Sequence, residues 1–92
     1  MLKLVYTTQF KKDYKLAIKR KSNIKELFNV IAILQKQEPL PREKRDHQLT
    51  GNYKGYRECH VTADFLLLYK VKGDTLELIL YRIGSHSDLF KN

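Results

Sequence analysis

The stretch DFLLLYKV, residues 64–71, constrains the fold more than any other part of this chain. Phe65 to Tyr69 is an unbroken apolar run that cannot alternate between a wet and a dry face. A strand there has to be covered on both sides and belongs at the centre of a sheet. Its neighbours read differently. GYRECHV, residues 55–61, alternates Tyr56, Glu58 and His60 with Arg57, Cys59 and Val61, which predicts an antiparallel strand with two unlike faces. Lys72, Gly73 and Asp74 supply turn chemistry for a hairpin into TLELILYRI, where Leu76, Leu78 and Leu80 share a face until Gly84 breaks the strand. SHSDLF then forms a short tail or a single helical turn.

Upstream the periodicity is different. LKLVY, residues 2–6, alternates as a short strand, and Thr7 or Thr8 can cap the helix that follows. Phe10, Tyr14, Ala17 and Ile18 form one apolar stripe of that helix, which should end near Lys21. Asn23 with Glu26 starts a second helix, whose stripe is Ile24, Leu27, Phe28, Ile31 and Leu34, and Pro39 and Pro41 stop it. So short a connection predicts an antiparallel helical hairpin. The expected fold is therefore one α+β domain over residues 1–92. An N-terminal strand and the helical hairpin precede a three-stranded antiparallel meander, with the helices packed on one face of the sheet. The only linker-like stretch is roughly residues 37–54.

No apolar run approaches the roughly 18 residues needed to cross a bilayer, so the sequence predicts a cytoplasmic protein with no membrane partner. Cys59 is the only cysteine, which excludes an internal disulfide and a cysteine-based zinc site within one chain. It reads as a small strand residue. The net charge is +8, and it is unevenly spread: residues 1–22 carry seven Lys/Arg against the single acid Asp13. A helix bearing Lys11, Lys12, Lys15, Lys19, Arg20 and Lys21 would attract a phosphate backbone or an acidic protein, and it also reads as an ordinary solvated face.

The three histidines carry the chemistry. His60 precedes a turn, Asp64 opens the next strand and Arg82 ends the last, while His47 on a loop and His86 on the tail can reach the same surface. Tyr56, Phe65, Tyr81 and Phe90 are candidate aromatic neighbours. Imidazole donates or accepts a proton near neutral pH, so two of them on opposite sides of a scissile bond can act as acid and base. A guanidinium can bind phosphate oxygens with two donors, and RNA brings its own nucleophile in the 2'-OH. Each residue also has an ordinary explanation: Asp64 as a turn cap, Arg82 as a partner for Glu58, Phe90 as a plug in the core. A zinc site from His47, His60, Asp64 and His86 lacks the tight local spacing of known zinc motifs, so no metal or other cofactor is expected.

These residues stand in a recognisable order. DHQLTG, GYRECH, DFLLLY and GSHSDLF resemble, in sequence and spacing, the elements of the YafQ branch of the RelE superfamily, toxins of bacterial type II toxin–antitoxin systems. The resemblance covers nearly the whole chain. It implies the RelE-like fold and a metal-independent endoribonuclease that cuts messenger RNA, typically at the ribosome, and is neutralised by a cognate antitoxin. DNA contact would come only through the antitoxin complex. Carried over by position, the catalytic set is His47, His60, Asp64, Arg82, His86 and Phe90. In that set His86 is the general acid, His60 or Asp64 the base, Arg82 sits on the phosphate and His47 on phosphate or ribose. RNA or ribosome contacts fall to Lys11, Lys12, Lys15, Lys19, Arg20, Lys54, Arg57 and the ring of Phe65, which stands where relatives often carry Trp. Gln48 replaces a proline common after the Asp-His pair. A ParE-like toxin acting on gyrase shares the fold, but that branch generally lacks the three histidines. A noncatalytic RNA-binding module is the other alternative.

Overall fold

The computed structural model describes residues 1–90. In chain order the elements are β1 (Lys3–Tyr6), α1 (Thr8–Lys19), α2 (Ile24–Gln35), a 3₁₀ turn at Arg42–Lys44, β2 (His47–Gln48), a second 3₁₀ turn at Gly51–Tyr53, β3 (Arg57–Thr62), β4 (Phe65–Lys72), β5 (Glu77–Gly84) and α3 (His86–Leu89). Both long helices start where the sequence places them. Thr7 Oγ1 accepts from the Phe10 N–H at 2.9 Å, and Asn23 Oδ1 accepts from the Glu26 N–H at 3.1 Å.

The sheet order is β1-β5-β4-β3-β2. The meander of β3, β4 and β5 is antiparallel, as expected, and β4 lies at its centre. Two features were not legible in the sequence. β1 joins the far edge in parallel with β5, and the linker contributes a two-residue strand, β2, that pairs His47 with Glu58 across β3.

β4 is buried on both faces because two different layers cover it. Against the helices, Phe10, Ala17, Leu27, Val30, Ile31 and Leu34 close over Cys59, Val61, Leu67, Tyr69, Leu78, Leu80 and Ile83. On the opposite face, Leu66 and Leu68 meet Leu89 of α3, with Leu49, Tyr53, Tyr81 and Phe90 around them. A bulge in β5 sets this arrangement: Leu68 pairs with Arg82 but Tyr69 pairs with Leu80, so Tyr81 is the extra residue. Leu80 and Ile83 can then both face the helices although they are three apart.

Three apolar residues expected in the core are exposed: Ile18 at 50%, Phe28 at 44% and Leu76 at 59%. A helix turns roughly 100° per residue. Phe28 therefore points well away from Leu27, and Ile18 lies at the rim of the stripe begun by Phe10. Leu76 is not in the strand at all. It sits in the turn at φ +54°, and its carbonyl accepts from the Lys3 N–H at 2.9 Å. Among the described residues, no helix is long and apolar enough to cross a membrane.

Candidate active site

The face of the sheet turned away from α1 and α2 gathers the chemistry. Glu58 and His60 are two apart on β3 and point the same way, and β2 sets His47 directly opposite Glu58. Glu58 is only 5% exposed. Its Oε1 lies 3.5 Å from His47 Nε2 and 3.7 Å from His60 Nε2, so one carboxyl group serves two imidazoles. The His47 Nδ1 is 2.6 Å from the Arg45 carbonyl, which can only accept, so Nδ1 carries the hydrogen. The contact of His47 Nε2 with Glu58 then attracts only when a proton sits on one of the two groups.

Asp46 anchors the loop that bears His47. It accepts from the Tyr69 hydroxyl at 2.5 Å and from Arg57 Nε at 3.2 Å. Burial, with this carboxylate next to it, pushes the Tyr69 phenol up from its ordinary value.

His86 is placed by α3. Ser85 and Asp88 form a reciprocal capping box at its start. Asp88 also pairs with Arg20 at 2.6 Å; that guanidinium, then the Ser85 N–H, holds its carboxyl down at about 2. Gly84 permits the entry at φ +155°, where a Cβ would meet the Asp88 side chain at 3.0 Å. Asp64, exposed in the β3–β4 turn, accepts from the His86 backbone N–H at 3.0 Å and faces its Nδ1 at 2.8 Å. These two contacts, the backbone one first, lower the Asp64 carboxyl from its ordinary value. A carboxylate oxygen can only accept, so Nδ1 carries the hydrogen and Nε2 is left for other work. The His86 ring centroid is 5.6 Å from that of His60 and 6.4 Å from that of Phe90, whose own ring stands 5.5 Å from Tyr53.

His47, His60, Asp64, His86 and Phe90 thus fall on one surface, as expected. Arg82 is committed elsewhere. Its Nε and Nη2 donate to Asp13 of α1 at 3.0 Å each, and the buried Asp13 also accepts from the Ile83 N–H. The partner anticipated as its ordinary alternative, Glu58, belongs instead to the histidines. Phe65 is 6% exposed in the helix-side core, so the expectation of an open ring for base stacking is corrected. A strand residue in an unbroken apolar run at a sheet centre is claimed by packing.

Lys11, Lys12, Lys15 and Lys19 are exposed on α1, which covers the other face of the sheet, and Arg20 is exposed at its C-cap, where it pairs with Asp88. Lys54 and Arg57 line a groove of about 530 Å³ beside β2, together with Gln48, Tyr56 and Lys70. Lys70 lies 5.5 Å over the Tyr56 ring, whose other neighbour is Tyr81 at 4.4 Å.

Sequence reasoning missed Glu58, Asp46 and Lys70. Glu58 shares a strand face with His60, a signal available from alternation alone. Nothing in the sequence pairs it with His47. One ligand atom each from Glu58, His60 and His86 lies within 4.8 Å of the other two. Two imidazoles and a carboxylate are a fitting donor set for zinc, copper or nickel, although these residues are scattered in the sequence.

Comparison with known proteins bears on this geometry. A family model described as "Bacterial toxin of type II toxin-antitoxin system, YafQ" matches residues 2–91. The mRNA interferase toxin YafQ of Escherichia coli K12 is 40% identical over 86 residues, covering 92% of this chain and 91% of that protein. A crystal structure of a metal-bound toxin from Helicobacter pylori superposes with a TM-score of 0.92 at 40% identity, covering 98% of this chain and 100% of that one. The E. coli DinJ–YafQ complex superposes at 0.87 with 37% identity, covering 98% and 99%.

Proposed function

The chain belongs to the YafQ family of bacterial type II toxin–antitoxin toxins, and from that premise we propose that it is an endoribonuclease cutting messenger RNA at the ribosome with its own imidazoles. The observation that carries the reading is the fixed pair of His86 and His60. His86 is held through Nδ1 by Asp64, with its ring 5.6 Å from that of His60.

In this mechanism His60, backed by Glu58, takes the proton of the 2'-OH. The 2'-oxygen then attacks the adjacent phosphorus, and the bond from phosphorus to the 5'-oxygen breaks. His86 delivers the proton of Nε2 to the departing oxygen. The products are a 2',3'-cyclic phosphate, open to hydrolysis to a 3'-phosphate, and a 5'-hydroxyl. Asp64 orients the acid in this account, which leaves the base to His60. His47 faces phosphate or ribose, and Phe90 supports His86. Arg82, with two donors already on Asp13, contributes fixed positive charge rather than a free clamp. Lys54 and Arg57, with Lys70, line the route for RNA, and the α1 cations face ribosomal phosphate or the antitoxin.

The partner reading is a cognate antitoxin, supported by the relative solved as a DinJ–YafQ complex. In the test, purified protein is incubated with messenger RNA, with and without ribosomes, and the cut ends are mapped. Cleavage with 5'-hydroxyl ends is expected. No cleavage in either reaction, with inhibition of gyrase instead, would reverse the assignment.

A second reading has its own observation, the convergence of Glu58, His60 and His86, together with a relative described as metal-bound. A bound ion would occupy the nitrogens that acid–base chemistry needs. Chelator-treated protein that still cleaves, and that added zinc inhibits, supports the imidazole mechanism. Loss on chelation with recovery on zinc supports a metal-dependent one.

A further inference from the structure

Beside His47, donors from two neighbouring strands converge on one carboxylate, Asp46. β2 is only two residues long and forms an edge of the sheet, pairing His47 with Glu58 and Gln48 with Arg57. So short a ladder does not hold a strand in place by itself. Side chains around it do. On the upstream side Lys44 Nζ donates to the Val61 carbonyl at 2.8 Å. Arg57 and Tyr69 are register partners on β3 and β4, and the Arg57 Nε and the Tyr69 hydroxyl reach the same oxygen of Asp46, at 3.2 and 2.5 Å. Tyr69 is the unexpected member of this group. It is 2% exposed in the helix-side core, where Phe would fill the same space with no polar atom to satisfy. A buried phenol needs an acceptor, and Asp46 is the one it donates to.

Resting on the nuclease reading above, we propose that Asp46 and Tyr69 are positioning residues for cleavage, which hold the His47 imidazole against the reacting nucleotide without touching it themselves. Asp46 and His47 are adjacent, and they serve opposite faces of the sheet: Asp46 meets Tyr69 of the helix-side core, and His47 meets Glu58 on the other face. Fixing Asp46 from the core side therefore fixes the point from which the His47 ring rises. The 2.6 Å contact of His47 Nδ1 with the Arg45 carbonyl then sets the turn of that ring, with Nε2 directed to Glu58 at 3.5 Å. The His47 side chain is 48% exposed, so packing alone does not hold it. Its aim depends on the backbone beneath it, and the bond from the buried phenol is the most rigid tie that backbone has.

The test measures single-turnover cleavage of ribosome-bound messenger RNA over a range of protein concentrations, with the thermal midpoint of each variant alongside. Tyr69→Phe and Asp46→Ala should lower the maximal rate about 10- to 100-fold, as displacement of a group at a reacting centre does, with the half-saturating concentration within about twofold of wild type. Asp46→Asn should recover most of that rate, because its amide oxygen still accepts from the Tyr69 hydroxyl. Asp46→Ala combined with His47→Ala should be no slower than His47→Ala alone, since the first change acts through the second residue. Losses that multiply, full activity of His47→Ala, or an Asp46→Ala effect confined to the thermal midpoint would overturn the proposal. The imidazole nitrogen spectrum of isotope-labelled protein gives a second readout that needs no RNA. His47 should carry its hydrogen on Nδ1 in the wild type and show a mixture of tautomers in Tyr69→Phe and Asp46→Ala, with His86 unchanged. A His47 spectrum that is the same in all three proteins would also overturn it. Absence of cleavage by the wild type, with that spectral change present, would instead strike the nuclease reading.

Discussion

The two faces of the sheet are built on opposite terms. Against α1 and α2 the chain spends most of its large apolar side chains, and the buried carboxylate there, Asp13, is tied by the Arg82 guanidinium. On the other face a small cluster of Leu66, Leu68 and Leu89 only seats α3, and the space beside it is given to imidazoles with free nitrogens. Stability is concentrated on one side and, in the mechanism proposed above, reactivity on the other. Removing a group from the first should cost folding, and from the second, chemistry.

The largest effect is expected from His86→Ala. Loss of a positioned general acid should lower cleavage of a labelled RNA by about 10²–10⁴-fold, in line with the usual contribution of such groups. The side chain is half exposed, so the thermal midpoint should stay put. A variant that cleaved as fast as wild type would break the division between the faces. Leu27→Ala on the helix side should do the reverse, costing about 2–5 kcal/mol in denaturant unfolding and leaving activity per folded molecule unchanged. Leu89→Ala tests the boundary: it should cost both stability and cleavage, because Leu89 is buried and also belongs to the helix that carries His86.

Asp13→Ala comes next, at about 2 kcal/mol. It leaves a half-buried guanidinium and the Ile83 N–H without their acceptor. A smaller effect should follow pH. The Asp88 carboxyl is depressed to about 2 from an ordinary 3.8, so its contribution is fully present above the unfolded value and is lost as pH falls from roughly 4 through 2. Solvent screening limits it to about 1 kcal/mol, readable as a difference between wild type and Arg20→Ala that vanishes in acid. The smallest response belongs to Cys59. Burial pushes its thiol up to about 12, so native protein at neutral pH should take up no iodoacetamide, whereas unfolded protein should be alkylated at once.

Much of the helix-side face was legible because it is repetitive. Apolar spacing placed the stripe of α2 at Ile24, Leu27, Ile31 and Leu34, and Thr7 and Asn23 marked the helix starts that the hydrogen bonds confirm. Failures came where a residue lay at a stripe's margin, as with Phe28, or where the strand lost its period, as at Leu76 and the Tyr81 bulge. The histidine face was legible in its residue types and obscure in its pairings. His86 with Asp64, and Arg82 with Asp13, join residues 22 and 69 apart in the chain. No local period encodes such contacts.

By itself the sequence determined the α+β order, the doubly covered strand at Phe65–Tyr69 and the family to which three histidines in this spacing belong. These follow from local periodicity, capping and motif, which act over a few residues. Only the tertiary structure decided that Glu58 lies between His47 and His60, that Asp64 orients His86, that Arg82 is held by Asp13 and that Phe28 stays outside. Each of these depends on strand register, a bulge or the rotation of a helix about its axis. A shift of one residue in register, or of about 100° in a helix, exchanges inside for outside.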